Sequence, residues 1–427
     1  MKESTSQAKN RRDFLRKLMA GTAATLALPT LTLAEGETLP EVSPPTNPDD
    51  EGYWEMVKRQ FAVPDNLIMM NAANLCPAPY AITQSVQATL ADLGKDVSFQ
   101  FRDKFDALRA SAIEKLAAYL GVDKNEVGIT RNTTESNNII VNGLDFKAGD
   151  EVILWDQNHP SNNVAWEYRA KRLGFTVKKI SLPAAPKSAD ELIQSFQKAI
   201  TPKTRLISFS HISNVSGIAL PVKELCAMAR SRNILTMVDG AQSFGFCDLN
   251  LRELGCDFYS GSTHKWLMGP LENGVVYIRR ESMDRIWPLI ISAGWNETHT
   301  TVDERYCIVG QRNESTPAAI PGIIDYHGVI GKRNIENRVR ALNAHLKDQL
   351  RAKVPQATFI TPLSAELSAG ITIFTIPGKP SADIYQALYT KYGIAGAATM
   401  GVRLSPNIYN TKEDINKAVE AVRALAG

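Results

Sequence analysis

Between residues 105 and 278 the chain alternates helical and strand-like segments, and this alternation constrains the fold more than any other feature. Residues 105–120 carry apolar side chains at helical spacing and stop at Gly121. Residues 126–130 read as a short strand, and residues 151–155 as another. A helix through Arg172 follows, with a stop at Gly174. Residues 176–182 are strand-like, 189–200 helical, 205–210 an apolar strand and 222–232 a helix. Residues 234–238 form a buried-type strand, and 274–278 a later one. Such alternation implies right-handed crossovers and predicts an α/β fold with a mainly parallel sheet. Ligands of such sheets bind beyond the carboxyl ends of the strands. Polar residues stand at those ends: Thr133 and Thr134, His159, Ser213 and Asn214, and Asp239. The topology therefore predicts that they converge on one rim.

The texture changes after about residue 320. Residues 334–353 are helical, 370–376 strand-like, 381–392 helical and 401–404 strand-like, and a closing helix starts at Lys412. This pattern predicts a small α+β lobe. A chain of 427 residues, 44% hydrophobic, is too long for one ordinary compact unit. The expected organisation is a signal segment over 1–34, a linker and N-terminal segment over 35–64, a large domain over 65–320 and a small domain over 321–427.

Composition excludes several function classes. The net charge of +3 sets up no strong field for a polyanion, and no basic run with interleaved aromatics follows the N-terminus, so nucleic acid is not expected as a partner. Cys76, Cys226, Cys247, Cys256 and Cys307 are scattered without a C-x-x-C pair, which argues against a zinc site and a disulfide framework. No metal is expected. Neither G-x-G-x-x-G nor G-x-x-x-x-G-K-[ST] occurs, so a dinucleotide or P-loop enzyme is not indicated.

The N-terminus differs in kind. Arg11-Arg12-Asp13-Phe14-Leu15 precedes an apolar stretch over 18–33 that holds Gly21 and Pro29. The stretch is too short and too weakly apolar to predict a stable membrane anchor. It reads as a cleavable signal, and the paired arginines resemble a twin-arginine signal. That route carries folded proteins, which predicts export to the periplasm with any cofactor already loaded. Residues 35–50, rich in Pro, Glu and Asp, read as a linker.

Two runs point to chemistry: Val238-Asp239-Gly240-Ala241-Gln242-Ser243 and, one strand–helix unit later, Ser260-Gly261-Ser262-Thr263-His264-Lys265-Trp266. A lysine that bonds a carbonyl cofactor needs that cofactor beside it. A pyridine-type cofactor needs a carboxylate at its ring nitrogen to act as an electron sink. Lys265 and Asp239 are candidates for the two groups, each near the end of an apolar strand. The wording of both runs resembles the class V aminotransferase family, whose members use pyridoxal 5'-phosphate (PLP) on fold type I. The resemblance spans about residues 65–427.

The resemblance implies roles residue by residue. In Asn132-Thr133-Thr134-Glu135, Thr133 and Thr134 match the phosphate-binding turn, where a helix start favours an anion. The same residues read equally well as a plain helix cap. His159 matches the histidine that stacks on the cofactor ring and shuttles protons, and counts with Lys265 and Asp239 as catalytic. Asn214, in Ser210-His211-Ile212-Ser213-Asn214-Val215-Ser216-Gly217, is expected near the cofactor's phenolic oxygen and the substrate carboxylate. Asp239 pairs with the pyridine nitrogen, Ala241 lies under the ring and Gln242 meets the phenolic oxygen. Ser262 and His264 hold the phosphate beside Lys265. Thr316, in Gln311-Arg312-Asn313-Glu314-Ser315-Thr316-Pro317, matches a segment that reaches the phosphate of a partner subunit, so a homodimer is implied. The match there is looser, with Gln311 where related sequences carry Thr. Arg403, in Gly401-Val402-Arg403-Leu404-Ser405-Pro406, matches the substrate-carboxylate clamp, a bidentate fork.

One departure narrows the chemistry. Cysteine desulfurases of this family carry a catalytic cysteine on the loop before the arginine segment, but residues 392–400 hold none. Sulfur abstraction by that route lacks its nucleophile. The nearest resemblances are isopenicillin N epimerase-like proteins and an exported aminotransferase-like enzyme that tailors pyoverdine siderophores. The expected activity is transamination or epimerisation of an amino-acid group on a small or peptide-like molecule. A C–S or C–C lyase is the alternative within the class, and a non-catalytic amino-acid-binding protein the alternative outside it.

Overall fold

The computed structural model describes residues 42–427. The expected signal segment over 1–34, with Arg11 and Arg12, lies outside the described residues. Strand β1 spans Ile68–Met69, and seven further strands build the central sheet: β2 (Val127–Thr130), β3 (Glu151–Trp155), β4 (Thr176–Ile180), β5 (Thr204–Ser210), β6 (Leu235–Asp239), β7 (Phe258–Ser262) and β8 (Gly274–Ile278). Their order is β2-β8-β7-β6-β5-β3-β4. Strand β8 runs antiparallel to both β2 and β7, and the other pairs are parallel. Every strand but β8 therefore points its carboxyl end at the same rim.

The reversal of β8 has a local cause. Parallel neighbours need a crossover, usually a helix. Between β7 and β8 there is only a tight loop over 263–273, so the chain returns antiparallel. Elsewhere the crossovers are helices: α1 (Lys104–Leu120) precedes β2, and α2 (Thr133–Gly143), α3 (Pro160–Leu173), α4 (Ala189–Ala199) and α5 (Val222–Arg230) connect the strands in turn. Gly121 and Gly174 end α1 and α3 at φ 70° and 80°, left-handed geometry that favours glycine.

Alternate strand residues enter two separate apolar clusters. Ile153, Trp155, Ile207, Phe209, Val238 and Tyr259 pack on one face. Val152, Leu154, Leu206, Met237 and Phe258 pack on the other. A sheet buried on both faces explains the near-continuous apolar strands. Strand β4 is the exception: at the sheet edge it carries Lys178 and Lys179 and is partly exposed, which discourages edge pairing.

The C-terminal lobe has its own four-stranded sheet, ordered β12-β13-β10-β9. Its strands are β9 (Thr358–Phe359), β10 (Thr372–Thr375), β12 (Ala397–Ala398) and β13 (Val402–Leu404). Helices α6 (Lys332–Lys353), α7 (Ser381–Tyr392) and α8 (Lys412–Ala426) bury Leu342, Leu346, Leu388, Val419 and Val422 in the lobe's core. The segment opening at β1, expected at the start of the large domain, joins this lobe instead. Strand β1 pairs with β11 (Ile394–Ala395), and Met70 lies in the C-terminal core. Its apolar residues find their partners there because the chain end returns beside them. Among the described residues no helix is long and apolar enough to cross a membrane.

Candidate active site

The ends of β5, β6 and β7 are level: Ser210 pairs with Asp239, and Asp239 with Ser260. This register puts Asp239 in the middle of the rim. Its carboxylate is buried at 3% exposure. Oδ2 accepts from Asn137 Nδ2 at 3.0 Å, and Oδ1 from the Ala241 N–H at 3.0 Å. Asn137 is held in turn by Ser260, whose hydroxyl donates to Asn137 Oδ1 at 2.6 Å. Gly240 lets the chain turn here, because a Cβ would fall 1.9 Å from the Tyr259 ring.

Lys265 lies three residues past β7, on the loop that returns to β8. Thr263 fastens this loop, donating its hydroxyl to Pro270 O at 2.8 Å and accepting at its carbonyl from the Gly269 N–H at 2.8 Å. Met268 and Glu272 sit at φ 58° and 59°, a left-handed conformation uncommon and costly for side-chain-bearing residues. Among the described residues no hydrogen bond or ion pair engages the Lys265 ammonium. Burial lowers its pKa, opposed by Asp239 and aided by the charge of Arg403. A desolvated lysine exposes its lone pair more readily, which suits a nucleophile.

The N-terminus of α2 faces the same space. Asn132 caps it, its Oδ1 accepting from the Glu135 N–H at 3.0 Å. Ser262 Oγ accepts from the Thr133 N–H at 2.8 Å and lies 2.6 Å from Thr133 Oγ1. His264 contributes a buried Nδ1 without a hydrogen-bond partner, and burial pushes its pKa down to about 4. An unmatched polar atom beside hydroxyls and a helix start is a cradle suited to phosphate. His159 starts α3. Its Nδ1 accepts from the Ser161 N–H at 3.2 Å and lies 2.7 Å from the Ser161 hydroxyl. The backbone donor assigns the ring proton to Nε2. Burial, followed by the charge of Lys265, lowers the His159 pKa.

A cavity of about 210 Å³ gathers Thr133, Thr134, His159, Asp239, Ala241, Ser262, His264 and Lys265 from the expected set. Arg403, buried at 5% exposure, is within charge range of Lys265 and His159 without lining that cavity. It donates to the Asn214 carbonyl at 3.1 Å, so Asn214 meets the clamp through its backbone. Two of the expected residues stand outside this cavity. Gln242 does not line the cavity: its Nε2 donates to Ala73 O at 2.9 Å and its Oε1 accepts from Trp266 Nε1 at 2.8 Å. Its amide joins the segment through Ala73 to the lysine loop. Thr316 lines a separate cavity of about 340 Å³ with Arg131, Gln311 and Arg312.

Three residues escape motif reading. Asn137 holds Asp239 from the second turn of α2, and only the packing of α2 against β6 and β7 reveals it. Asn71, in the segment after β1, accepts from Arg403 at 3.1 Å. Cys76 lies within charge range of Lys265, and its Sγ accepts from Tyr409 OH at 3.3 Å and Asn407 Nδ2 at 3.4 Å. Burial pushes the Cys76 thiol up to about 11.

The sequence profile described as Aminotransferase class-V matches residues 79–418. The chain belongs to the class V aminotransferase family. Within this family it is 30% identical over 394 residues to isopenicillin N epimerase of Streptomyces clavuligerus, covering 88% of this chain and 98% of that one. It is also 27% identical over 428 residues to a probable cysteine desulfurase of Xylella fastidiosa, covering 90% and 98%. In three dimensions it resembles the cysteine desulfurase CsdA of Escherichia coli, with TM-score 0.77, 25% identity and coverage of 89% and 99%. Family membership makes PLP the cofactor and fold type I the architecture. The residues present fit that group. Thr133, Thr134, Ser262 and the unpartnered His264 would hold the phosphate, Asp239 would meet the ring nitrogen, and Lys265 would bond the carbonyl carbon.

Proposed function

We propose that this class V enzyme acts at the α-carbon of an amino-acid group, by epimerisation or transamination. The observation that carries this reading is the buried Arg403, set within charge range of an otherwise unengaged Lys265. A cation there recognises the substrate carboxylate, while Lys265 receives or delivers the α-proton. Bound PLP supplies the electron sink for the pair left on carbon. Asp239 supplies a fixed carboxylate at the ring nitrogen. His159, with Nδ1 engaged by Ser161, presents Nε2–H and serves as a donor and a stacking surface.

Two features favour these reactions over sulfur abstraction. The loop at 392–400 carries no cysteine, and Cys76, the thiol near Lys265, is held protonated by burial. A homodimer completes the proposal. Ile290 lines the cavity of Thr316, and Leu271, Trp287, Leu289 and Ile291 are exposed apolar residues along the same stretches of chain. A second copy covering them would bring Thr316 toward its phosphate. Arg11-Arg12 before a weakly apolar stretch supports twin-arginine export of the cofactor-loaded protein, and with it late tailoring of a secreted metabolite in the periplasm.

Product analysis separates the reactions. Purified holoenzyme is incubated with amino acids and peptide-like donors and followed by chiral chromatography. Epimerisation yields the mirror α-centre without an oxo acid, transamination yields the oxo acid, and a lyase releases a side-chain fragment. Lys265→Ala abolishes all turnover. Borohydride reduction followed by mass spectrometry finds the cofactor on Lys265, and its presence on another lysine overturns the assignment. Changing Arg11 and Arg12 together to Lys retains folded, cofactor-bearing protein in the cytoplasm. Undiminished periplasmic protein contradicts the export route.

A further inference from the structure

Residues 70–76 run from the arginine clamp to the lysine loop and are fastened at both ends. At one end the backbone is stitched to Ser405: Ser405 N donates to Met70 O at 2.7 Å, Ala72 N to Ser405 O at 3.0 Å, and Ala73 N to Ser405 Oγ at 3.1 Å. At the other end Cys76 N donates to His264 O at 2.9 Å. The Asn71 side chain is not needed for this stitching. Its Oδ1 accepts instead from Arg403 Nη2 at 3.1 Å, while Arg403 Nη1 donates to Asn214 O at 3.1 Å.

The guanidinium is thus gripped on two sides by neutral acceptors. Both come from outside its own strand β13, one from the segment after β1 and one from the loop after β5. Among the described residues no carboxylate pairs with Arg403. Its Nε is buried without a partner. Burial pulls its pKa down to about 10, so it remains charged at neutral pH. A buried, fully charged guanidinium with an open donor lacks the anion it needs. A long arginine stem has many rotamers, and the two acceptors select the one in which Nε and the remaining N–H groups stay free.

We infer that Asn71 is a positioning residue for carboxylate recognition: it fixes the Arg403 fork from the segment after β1 and leaves the charge uncompensated until the substrate arrives. The inference rests on the proposed role of Arg403 as the clamp. An asparagine suits this position because an amide oxygen orients a guanidinium without neutralising it. An aspartate would neutralise it and compete with the substrate.

The test uses PLP-loaded enzyme and two unreactive probes, 2-aminoisobutyric acid and its carboxamide, which differ only in the carboxylate. Dissociation constants are read from the change in cofactor absorbance. Asn71→Ala weakens the acid about tenfold, the loss typical of one hydrogen bond to a charged group, and leaves the amide unchanged. Asn71→Asp weakens the acid about a hundredfold or more and the amide little. With a turned-over substrate, KM rises while kcat moves less than about threefold. Thermal midpoint and bound PLP report folding. If Asn71→Ala folds poorly, the near-isosteric Asn71→Asp carries the test. Equal losses for acid and amide, or none, in a folded Asn71→Asp overturn the inference. Arg403→Ala separates the two levels. If it spares the acid as well, the clamp itself lies elsewhere. If it weakens the acid while the Asn71 variants do not, only the positioning role fails.

Discussion

Asp239 keeps both carboxylate oxygens on N–H donors that carry no formal charge, one from Asn137 and one from Ala241. Its negative charge therefore stays available to whatever faces it in the cavity. Asp239→Asn preserves shape and removes that charge. It is expected to retain PLP and lower kcat roughly a thousandfold, the loss typical of one preorganised charge. Steady-state rates and cofactor absorbance check this, and near-normal rates remove Asp239 from the role. The Asp239 and Lys265 pair was legible in sequence because each sits in a run that few other chemistries require. Asn137 was not, because an asparagine in a helix is ordinary until the helix is packed against a particular strand.

At the scale of elements, the site is a set of strand ends and helix starts brought level by register. Two of them can be tested directly. Asn132 caps α2 through Glu135 N, and Asn132→Ala is expected to cost about 1 kcal/mol of stability. It should also weaken PLP binding, since the same turn cradles the phosphate. Chemical denaturation and PLP titration measure the two effects. At the end of β6, Gly240→Ala drives a methyl into the Tyr259 ring. A lower thermal midpoint, from about 1–3 kcal/mol of overpacking, and a displaced Asp239 are expected. Unchanged stability would mean that the Tyr259 ring moves aside freely. The elements themselves were largely legible: the helix at Ser381–Tyr392 and the strand at Gly274–Ile278 fall where periodicity and turn residues place them. The direction of β8 needed the structure, because a strand reads the same in either direction.

For the whole molecule, desolvated imidazoles tie stability to pH. Burial pushes His211, His264 and His327 down to about 4 from an ordinary value near 6.5. The unfolded chain therefore binds protons that the folded chain refuses. Stability is full above about pH 6.5 and declines as pH falls toward 4. His327 is wholly buried between Tyr119 OH and the Leu267 carbonyl, two residues beyond Lys265. Urea midpoints measured across this range should fall, and His327→Gln should flatten part of the slope. A flat profile in the parent protein contradicts the desolvation of these rings. Three expectations came from the sequence: the α/β alternation from local spacing and turn residues, the convergence of polar strand ends from the topology that alternation implies, and the roles of Lys265 and Asp239 from the wording of two short runs. Each starts from stretches short enough for local spacing to record. What joins distant segments was decided only by tertiary structure. Asn71 and Arg403 are 332 residues apart and meet where the segment after β1 joins the C-terminal lobe. Cys76 reaches Tyr409, and β1 pairs with β11. Gln242 turns to Ala73 and Trp266, and Thr316 lies in another cavity. A side chain's partner at such a distance is chosen by how whole elements pack, and no local pattern records that choice.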